Sequence, residues 1–339
     1  MVVQNATENS IKIMKNLKLK IRKTILIVFV SFFSIFSTYA QFDGVFSHYM
    51  HNLSLVNPSY AGENNMIQAS LFQRTQWIGM PGAPIMSVLS VDTPFKLLER
   101  QHGVGVQFLS DIFGVFNNQQ VKLLYAYKYK LGKGHFSFAT NIGMINVICN
   151  ADSINISKLT TDDGYHSDND PAIPIGKQTG VGFDLGFGLN YVSDTYSLGA
   201  SLTHVNSPII SIGDKNEFNV LPLMQVNGAY RFPLDRDNGK YKINTNVLFL
   251  TDFAVWTSHL SSILEINEKY WAGVGYRYQD SFSIQFGLEL FDGFRLGYNF
   301  DIPSNRLILN TFGSHEVFAT YEFSLVRQKS NSTKSIRIL

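Results

Sequence analysis

The segment Val181-Gly-Phe-Asp-Leu-Gly-Phe-Gly-Leu-Asn-Tyr191 points most directly to the fold, because its side chains alternate strictly in character. Large apolar or aromatic residues occupy every odd position from 181 to 191, and Gly, Asp or Asn occupies every even one. In a β-strand successive side chains point to opposite faces, whereas one face of an α-helix collects residues three and four positions apart. The segment is therefore predicted to be a strand with one apolar and one polar face.

The same period of two residues recurs through most of the chain, clearly so in 281–291 and 294–303. Long connections, such as 150–180, 206–217 and 304–314, separate some strands, and very short ones separate others. An even number of strands with short turns at one end and longer loops at the other is typical of an outer-membrane β-barrel. We therefore predict an all-β protein, a transmembrane antiparallel β-barrel of about 14 strands. The predicted strands lie near 66–77, 85–92, 103–113, 119–131, 135–148, 180–193, 195–205, 218–232, 240–251, 256–267, 270–279, 281–291, 294–303 and 315–325.

The composition agrees with this fold class. Aromatic residues make up 14% of the chain and charged residues 16%, against about 25% charged residues in a typical soluble domain. A mean hydropathy of +0.00 excludes a polytopic helical membrane protein, and the apolar content argues against disorder. Six of the 28 basic residues and one of the 26 acidic residues precede residue 41, which leaves 22 basic against 25 acidic residues. Such a chain lacks the basic excess that holds nucleic acid.

The two faces of the strands suit two different environments. Aromatic rings near strand ends are expected to form girdles at the membrane interfaces: Tyr125, Tyr191, Tyr241, Trp271 and Tyr321. Charges on the opposite faces are expected to point into a wet or filled lumen: Arg74, Asp92, Lys122, Lys128, Asp184, Arg277, Glu289, Arg295, Asp301 and Glu322. A secreted β-sandwich or solenoid is the alternative fold, but a sandwich core would not accept these charges.

The N-terminus has the order of a secretory signal peptide. A basic stretch at Lys15–Lys23 precedes the apolar run Ile25–Phe36, and Ser37–Ala40 supplies a cleavage site. We predict cleavage after Ala40, with Met14 as an alternative start. The chain then divides into a signal peptide (1–40), an N-terminal segment (41–65), an outer-membrane barrel (66–325) and a polar C-terminal tail (326–339).

The N-terminal segment carries an apolar stripe that has no lipid partner. Its residues stand at i, i+3, i+4 and i+7, the spacing of one helix face: Phe46, Tyr49, Met50 and Leu53. Asn57-Pro58 would end such a helix, because the residue before a proline disfavours the helical region. We predict a short helix and turn that plug or cap the periplasmic side of the barrel.

Four short motifs follow one another along the chain: Asn57-Pro-Ser-Tyr-Ala-Gly62, Arg74-x-Gln-Trp-x-Gly-x-x-Gly-Ala-Pro84, Asp92-Thr-Pro-Phe95 and Gly313-Ser-His-Glu316. In this order they resemble the motifs of the PorP/SprF family of the type IX secretion system of Bacteroidetes. The resemblance extends from about Phe46 to Leu325. It marks these positions as structural or partner-binding: Asn57, Pro58, Tyr60, Gly62, Arg74, Gln76, Trp77, Gly79, Gly82, Ala83, Pro84, Gly313, Ser314, His315 and Glu316.

The resemblance implies a non-enzymatic barrel in the cell outer membrane. Such a barrel would be needed for the secretion or surface display of cargo with a C-terminal sorting domain, adhesins for example, and in gliding species for motility. The implied partners are the lipid bilayer, other type IX secretion components and the cargo's sorting domain, with no nucleic acid. The alternative is a pore or channel for small solutes.

No catalytic, cofactor or metal site is predicted. Ser314, His315 and Glu316 are neighbours on a strand and point to opposite faces, so they cannot form a triad. Ser201 and His204 have opposite parity, which argues against a barrel hydrolase, and His48 and His51 lack a third metal ligand. The acidic stretch 162–170 could bind calcium, but it does not match EF-hand spacing, and a solvated loop is favoured.

Overall fold

A computed structural model describes residues 43–150, 176–213, 216–234 and 240–324. Fourteen antiparallel strands form a closed barrel in which β1 pairs with β16, and a separate hairpin, β8–β9, stands between β7 and β10. The strands are β1 (Ile67–Thr75), β2 (Ile85–Leu97), β3 (Arg100–Phe113), β4 (Phe116–Leu131), β5 (Gly134–Asn150), β6 (Lys177–Val192), β7 (Tyr196–Thr203), β8 (Ile209–Ile212), β9 (Asn216–Asn219), β10 (Leu223–Pro233), β11 (Tyr241–Thr251), β12 (Trp256–Ile266), β13 (Tyr270–Arg277), β14 (Ser281–Phe291), β15 (Phe294–Pro303) and β16 (Ser314–Phe323). The predicted fold class is confirmed, and each predicted strand corresponds to one barrel strand.

The outer surface of the barrel is apolar and its interior is polar. On β6, Val181, Phe183 and Phe187 are each more than half exposed, whereas Asp184 and Asn190 are fully buried. The alternation seen in the sequence thus becomes an outer band for lipid and an inner wall of polar groups and glycine. Among the described residues no helix is long and apolar enough to cross a membrane.

The predicted aromatic girdle is partly wrong. Tyr125, Tyr241 and Tyr321 are exposed on the outer face, but Trp271 is buried and stacks near Phe318 inside the barrel. On β13 the outward position belongs to the preceding residue, Tyr270, so the parity of the strand directs the indole inward.

The two ends of the barrel differ in their connections. The short-turn end carries the connections at 98–99, 132–133, 193–195, 234–240, 267–269 and 292–293, and both the start of β1 and the end of β16 lie there. The long-loop end carries the long connections 76–84, 151–176, 204–222 and 304–313, together with the short ones at 114–115, 252–255 and 278–280. Short turns mark the periplasmic end of outer-membrane barrels, so the long-loop end is expected to face the cell exterior.

This orientation can be tested with inserted epitopes. An epitope near Asp168, in a connection that lies outside the described residues, should be labelled by antibody on intact cells. The same epitope in the turn at Gly132 and Lys133 should be labelled only after lysis. The reverse pattern would show that the assigned orientation is wrong.

Residues 43–64, which we call the luminal segment, lie inside the barrel. They form three 3₁₀ turns, at Tyr49–His51, Leu53–Leu55 and Pro58–Tyr60, instead of the predicted single helix. The helix fails at Asn52, whose backbone is extended (φ −149°, ψ 88°) and whose side chain accepts a hydrogen bond from the Ser54 N–H. Asn57 caps the last turn in the same way, through the Ser59 N–H.

The luminal segment also extends further than predicted. Asp43 contacts Gln120 and His204, which lie towards the long-loop end of their strands, and Glu63 contacts His135 at the short-turn end. The segment therefore runs along the lumen from the long-loop half to the short-turn mouth. The prediction that it occupies only the periplasmic half or its rim is wrong.

Candidate functional site

The interior of the barrel, with the luminal segment and the wall that holds it, is the candidate functional site. The first anchor of the segment is a buried group that we call the Arg74 cluster: Ser47, His48, Arg74, Asp301 and Glu316. Arg74 Nη1 lies 2.6 Å from Asp301 Oδ2 and 3.2 Å from Glu316 Oε2. Arg74 and Glu316 lie opposite each other on β1 and β16, the two strands that close the barrel.

The same carboxylates bind the backbone and side chains of the luminal segment. The N–H groups of Ser47 and His48 donate to Glu316 Oε2 and Oε1 at 2.7 and 2.8 Å. Ser47 Oγ donates to Asp301 Oδ2 at 2.9 Å and accepts from Arg74 Nη1 at 3.1 Å. Two residues of the sequence motifs, Arg74 and Glu316, thus meet on the segment rather than on the outside of the barrel.

The Asn57–Gly62 motif forms the second anchor. The Asn57 side chain is buried and donates to the carbonyl oxygens of Leu189 (3.0 Å) and Ala200 (3.3 Å) on β6 and β7. Tyr60 OH accepts from Asn227 Nδ2 at 2.8 Å, and the Gly62 N–H donates to Asp92 Oδ1 at 2.8 Å. Asp92 begins the Asp92–Phe95 motif, so this motif too binds the luminal segment.

Glycines in the wall make room for this anchor. A Cβ at Gly188 would overlap Asn57 Oδ1 and lie 2.9 Å from Pro58 Cδ, and one at Gly103 would overlap the Ala61 carbonyl. The burial pattern of β6 places its glycines on the inner face of the barrel. Nothing in the sequence alone showed that Gly188 seats Asn57 and Pro58.

Replacing Gly188 with alanine should displace Asn57 and Pro58 while the barrel still forms. Overpacking of this kind costs about 1–3 kcal/mol of unfolding free energy, and the inserted methyl group would overlap the Asn57 side-chain oxygen and meet the rigid Pro58 ring. We expect faster protease cleavage within the luminal segment of Gly188→Ala. Gly228→Ala is the matched control, because its Cβ would have no neighbour nearer than 3.8 Å. Equal cleavage of both variants would contradict the role of Gly188 in making room for Asn57 and Pro58.

The third anchor lies at the short-turn mouth. Lys128 Nζ donates to the Gly62 carbonyl oxygen at 2.8 Å and to Glu63 Oε2 at 2.7 Å, and His135 Nε2 lies 2.9 Å from Glu63 Oε1. Burial would raise the pKa of Glu63, but the hydrogen bond from His135 and the charge of Lys128 outweigh it and hold the pKa below its ordinary value. Glu63 therefore stays ionised at neutral pH, and its ion pair with Lys128 is kept.

The opposite end of the segment is held by charge as well. Asp43 Oδ2 lies 3.0 Å from His204 Nε2, and His204 Nδ1 lies 2.8 Å from Asp184 Oδ1. Burial would raise the pKa of Asp43, but His204 and Lys122 outweigh it and lower the pKa. His204 follows β7 with φ +56°, and this left-handed backbone directs its ring inward, against the parity argued from the sequence.

Other motif positions build the long-loop end instead of the lumen. The Gln76 N–H donates to the Pro84 carbonyl oxygen (2.9 Å), and the Trp77 N–H donates to Ser314 Oγ (3.1 Å). Gly79 and Gly82 have φ values of +98° and +72°, which explains glycine at both positions. His315 belongs neither to the luminal contacts nor to the long-loop end. It lies on the outer side of β16, where its Nδ1 is 2.6 Å from Tyr298 OH.

The hairpin β8–β9 was not predicted. Ile210 and Ile212 pack against Ile145, Val147 and Cys149 on the inner face of β5, so the hairpin folds into the long-loop half of the lumen. Gly180 and Gly182 on β6 lie directly beneath Ile210. These two glycines were the sequence signal for the inward hairpin.

The luminal segment separates two cavities. Met50, His51 and Tyr60 line a cavity of about 450 Å³ at the short-turn end. Residues 43–46 and Leu55 line a smaller one of about 50 Å³ on the other side.

The residues considered for a hydrolase or metal site have other partners in the described part of the chain. Ser201 Oγ donates to the Val56 carbonyl oxygen at 2.6 Å and serves as another anchor of the segment. His48 binds Glu316, and no group of three or more His, Cys, Asp or Glu side chains able to hold a metal occurs in the described ranges. The acidic stretch 162–170, the predicted signal peptide and the predicted C-terminal tail lie outside them.

A family model described as "Type IX secretion system membrane protein PorP/SprF" matches residues 38–321. The chain belongs to this PorP/SprF family. It is therefore an outer-membrane β-barrel of a family that serves type IX secretion, as the motifs predicted. No curated protein matches the chain.

Solved structures similar to the PorP/SprF chain are outer-membrane barrels. The CymD monoaromatic hydrocarbon channel has a TM-score of 0.47 at 11% identity, covering 84% of this chain and 95% of its own. The toluene transporter TbuX of Ralstonia pickettii has a TM-score of 0.46 at 12% identity, covering 85% of this chain and 95% of its own. A FadL homologue of Pseudomonas aeruginosa has a TM-score of 0.44 at 9% identity, covering 79% of this chain and 93% of its own.

Proposed function

We propose that this PorP/SprF protein is a non-enzymatic, closed barrel that type IX secretion requires for the secretion or surface display of cargo with a C-terminal sorting domain. The long loops at the outer end would bind the sorting domain or other secretion components. The protein would need no cofactor, and in a gliding species it would contribute to motility.

The observation that supports a binding role over transport is the luminal segment itself. It is anchored to the wall at the Arg74 cluster, at Asn57–Gly62 and at Glu63, and it separates the two cavities. A passive channel requires a continuous wet path, and a segment fixed by buried ion pairs at several points opposes one.

The alternative is a pore for small solutes, favoured by the cavity of about 450 Å³ at the short-turn end. Such a pore would require the luminal segment to move. Steady current through the unmodified protein in planar bilayers would favour this alternative, and silence would favour the closed barrel.

The proposed function is tested by deleting the gene and analysing surface proteins by mass spectrometry. We expect cargo with C-terminal sorting domains to be lost from the surface, while other outer-membrane barrels stay at normal levels. Complementation with the intact gene should restore display. Unchanged display in the deletion strain would refute the proposal.

A further inference from the structure

One side of the short-turn mouth is strongly basic. A cavity of about 540 Å³ lies there between the ends of β2 to β6, and it adjoins the 450 Å³ cavity at Glu63 and Asp194. The basic residues that line it are Lys96, Arg100, Lys128, Lys130 and Lys133, together with His135. The acidic residues that line it are Glu63, Glu99 and Asp194. The 450 Å³ cavity has no basic excess in comparison, with Arg231, Lys242 and Arg295 facing Glu63, Asp194, Glu265 and Glu268.

Three of these lysines are directed into the mouth. Lys96 lies on the same inward face of β2 as the buried Asp92. Lys128 and Lys130 lie on the same inward face of β4 as the buried Ala126. Lys96 and Lys128 both lie opposite Gln101 of the intervening strand. Positive charges gathered on one face of a sheet repel one another unless an anion is present.

The protein supplies only part of that negative charge. Glu63 pairs with Lys128 and His135, and Arg100 lies over the ring of Tyr129. Within the part of the chain that the structure describes, Lys96, Lys130 and Lys133 form no ion pair. These three lysines line the cavity, and we call them the mouth lysines; their charge is available to an anion that enters the cavity.

The outer faces of the same strand ends are mainly apolar and aromatic. Leu97, Tyr129 and Leu131 are exposed there, and of the basic groups named above Arg100 lies on that side, over the Tyr129 ring. The mouth lysines are instead reachable from the periplasm, along the axis of the barrel. A flexible chain can enter a mouth in this way, whereas a headgroup held in the bilayer approaches from the side.

We propose that the mouth lysines bind an acidic peptide segment of a periplasmic protein. Its carboxylates would pair with Lys96, Lys130 and Lys133, next to Glu63 at the inner end of the luminal segment. This docking site goes beyond cargo display and stands whether or not the long loops bind a sorting domain.

The test uses the full-length mature protein in nanodiscs of zwitterionic lipid. The probe is a fluorescent peptide of twelve residues that alternates Glu and Ser, and a Gln-Ser peptide of the same length serves as the neutral probe. Lys96→Gln/Lys130→Gln/Lys133→Gln removes the mouth lysines. Lys177→Gln/Lys240→Gln/Lys269→Gln is the charge-matched control, because these three exposed lysines do not line the cavity.

We expect the acidic peptide to bind the unmodified protein and the control variant with similar affinity, and the mouth variant about tenfold more weakly. Binding should weaken in high salt, and the Gln-Ser peptide should not bind. Equal weakening in both variants would overturn the proposal, because it would show an effect of net charge alone. No binding to the unmodified protein would overturn it too. If the peptide does not bind, but in separate nanodiscs that contain anionic lipid the unmodified protein retains that lipid and the mouth variant does not, the site belongs to lipid and the proposal is wrong.

Discussion

Removing residues 43–56 is expected to turn a barrel that carries no steady current into one that conducts. This part of the chain contains the Arg74 cluster contacts of Ser47 and His48 and the apolar residues Phe46 and Tyr49, all buried inside the barrel. A closed barrel of fourteen strands approaches the size of the 16–18-stranded porins, which leave an aqueous channel when nothing fills them. The backbone bonds of the strands do not involve the deleted residues, so the barrel should still insert.

Planar-bilayer recording of the purified proteins measures the change. A synthetic peptide with the sequence of 43–56, added from the side of the long loops, should close the deleted channel, and a scrambled peptide should not. A variant with an epitope in the turn at Lys133 should remain silent, because that turn lies at the short-turn mouth and the insertion leaves residues 43–56 in place. Steady current through the unmodified protein would contradict the closed barrel. A silent deletion variant that is correctly folded would show that the hairpin β8–β9 or another element closes the lumen.

The barrel could be predicted from the sequence because lipid imposes a local rule. Each strand must present apolar residues outward and may present anything compatible with the lumen inward, so alternation alone marks strands such as β6 and β14. The interior obeys no such rule. Trp271 shows the limit, since an aromatic ring at a strand end suits either a girdle or the lumen, and only parity within β13 decides.

The luminal segment could be recognised but not placed. Its apolar stripe suggested burial against protein, but a helical spacing cannot reveal that Asn52 and Asn57 cap successive short turns with their own side chains. Contacts such as Glu316 with Ser47, 269 residues apart, have no local signature. The sequence motifs could be recognised, but their shared role could not. In the structure, residues from all of them hold the luminal segment against the barrel wall: Asn57, Gly62, Arg74, Asp92 and Glu316.

Arg74→Ala is expected to leave the protein in the membrane but to free the outer part of the luminal segment. Without the guanidinium, the carboxylates of Asp301 and Glu316 remain buried beside each other and lose their closest cation. Breaking a buried ion pair on one side costs about 3–5 kcal/mol. The luminal segment offers the easiest relief, because Ser47 and His48, which bind those same two carboxylates, belong to no barrel strand and can move without breaking strand pairing.

The matched control is Arg295→Ala, a second inward arginine. Its side chain is about one-third exposed at the short-turn end and pairs with Glu289 at 3.1 Å. Exposed pairs of this kind contribute about 0–1 kcal/mol, so this variant should keep a silent barrel and normal cargo display. Arg74→Met/Asp301→Asn should recover part of what Arg74→Ala loses, because it removes the buried charge from both sides of the pair.

Three measurements are made on each variant. Planar-bilayer recording gives the conductance, the shift in gel mobility between unheated and heated protein checks that the barrel is folded, and surface proteomics of the cells measures cargo display. For Arg74→Ala we expect a folded barrel with intermittent current and reduced cargo display, because the segment and the loops at the outer end no longer share a fixed anchor. Normal display by a folded Arg74→Ala protein would separate the cluster from secretion. Loss of the protein from the membrane would instead assign Arg74 to assembly, since β1 and β16 meet at this residue and close the barrel there.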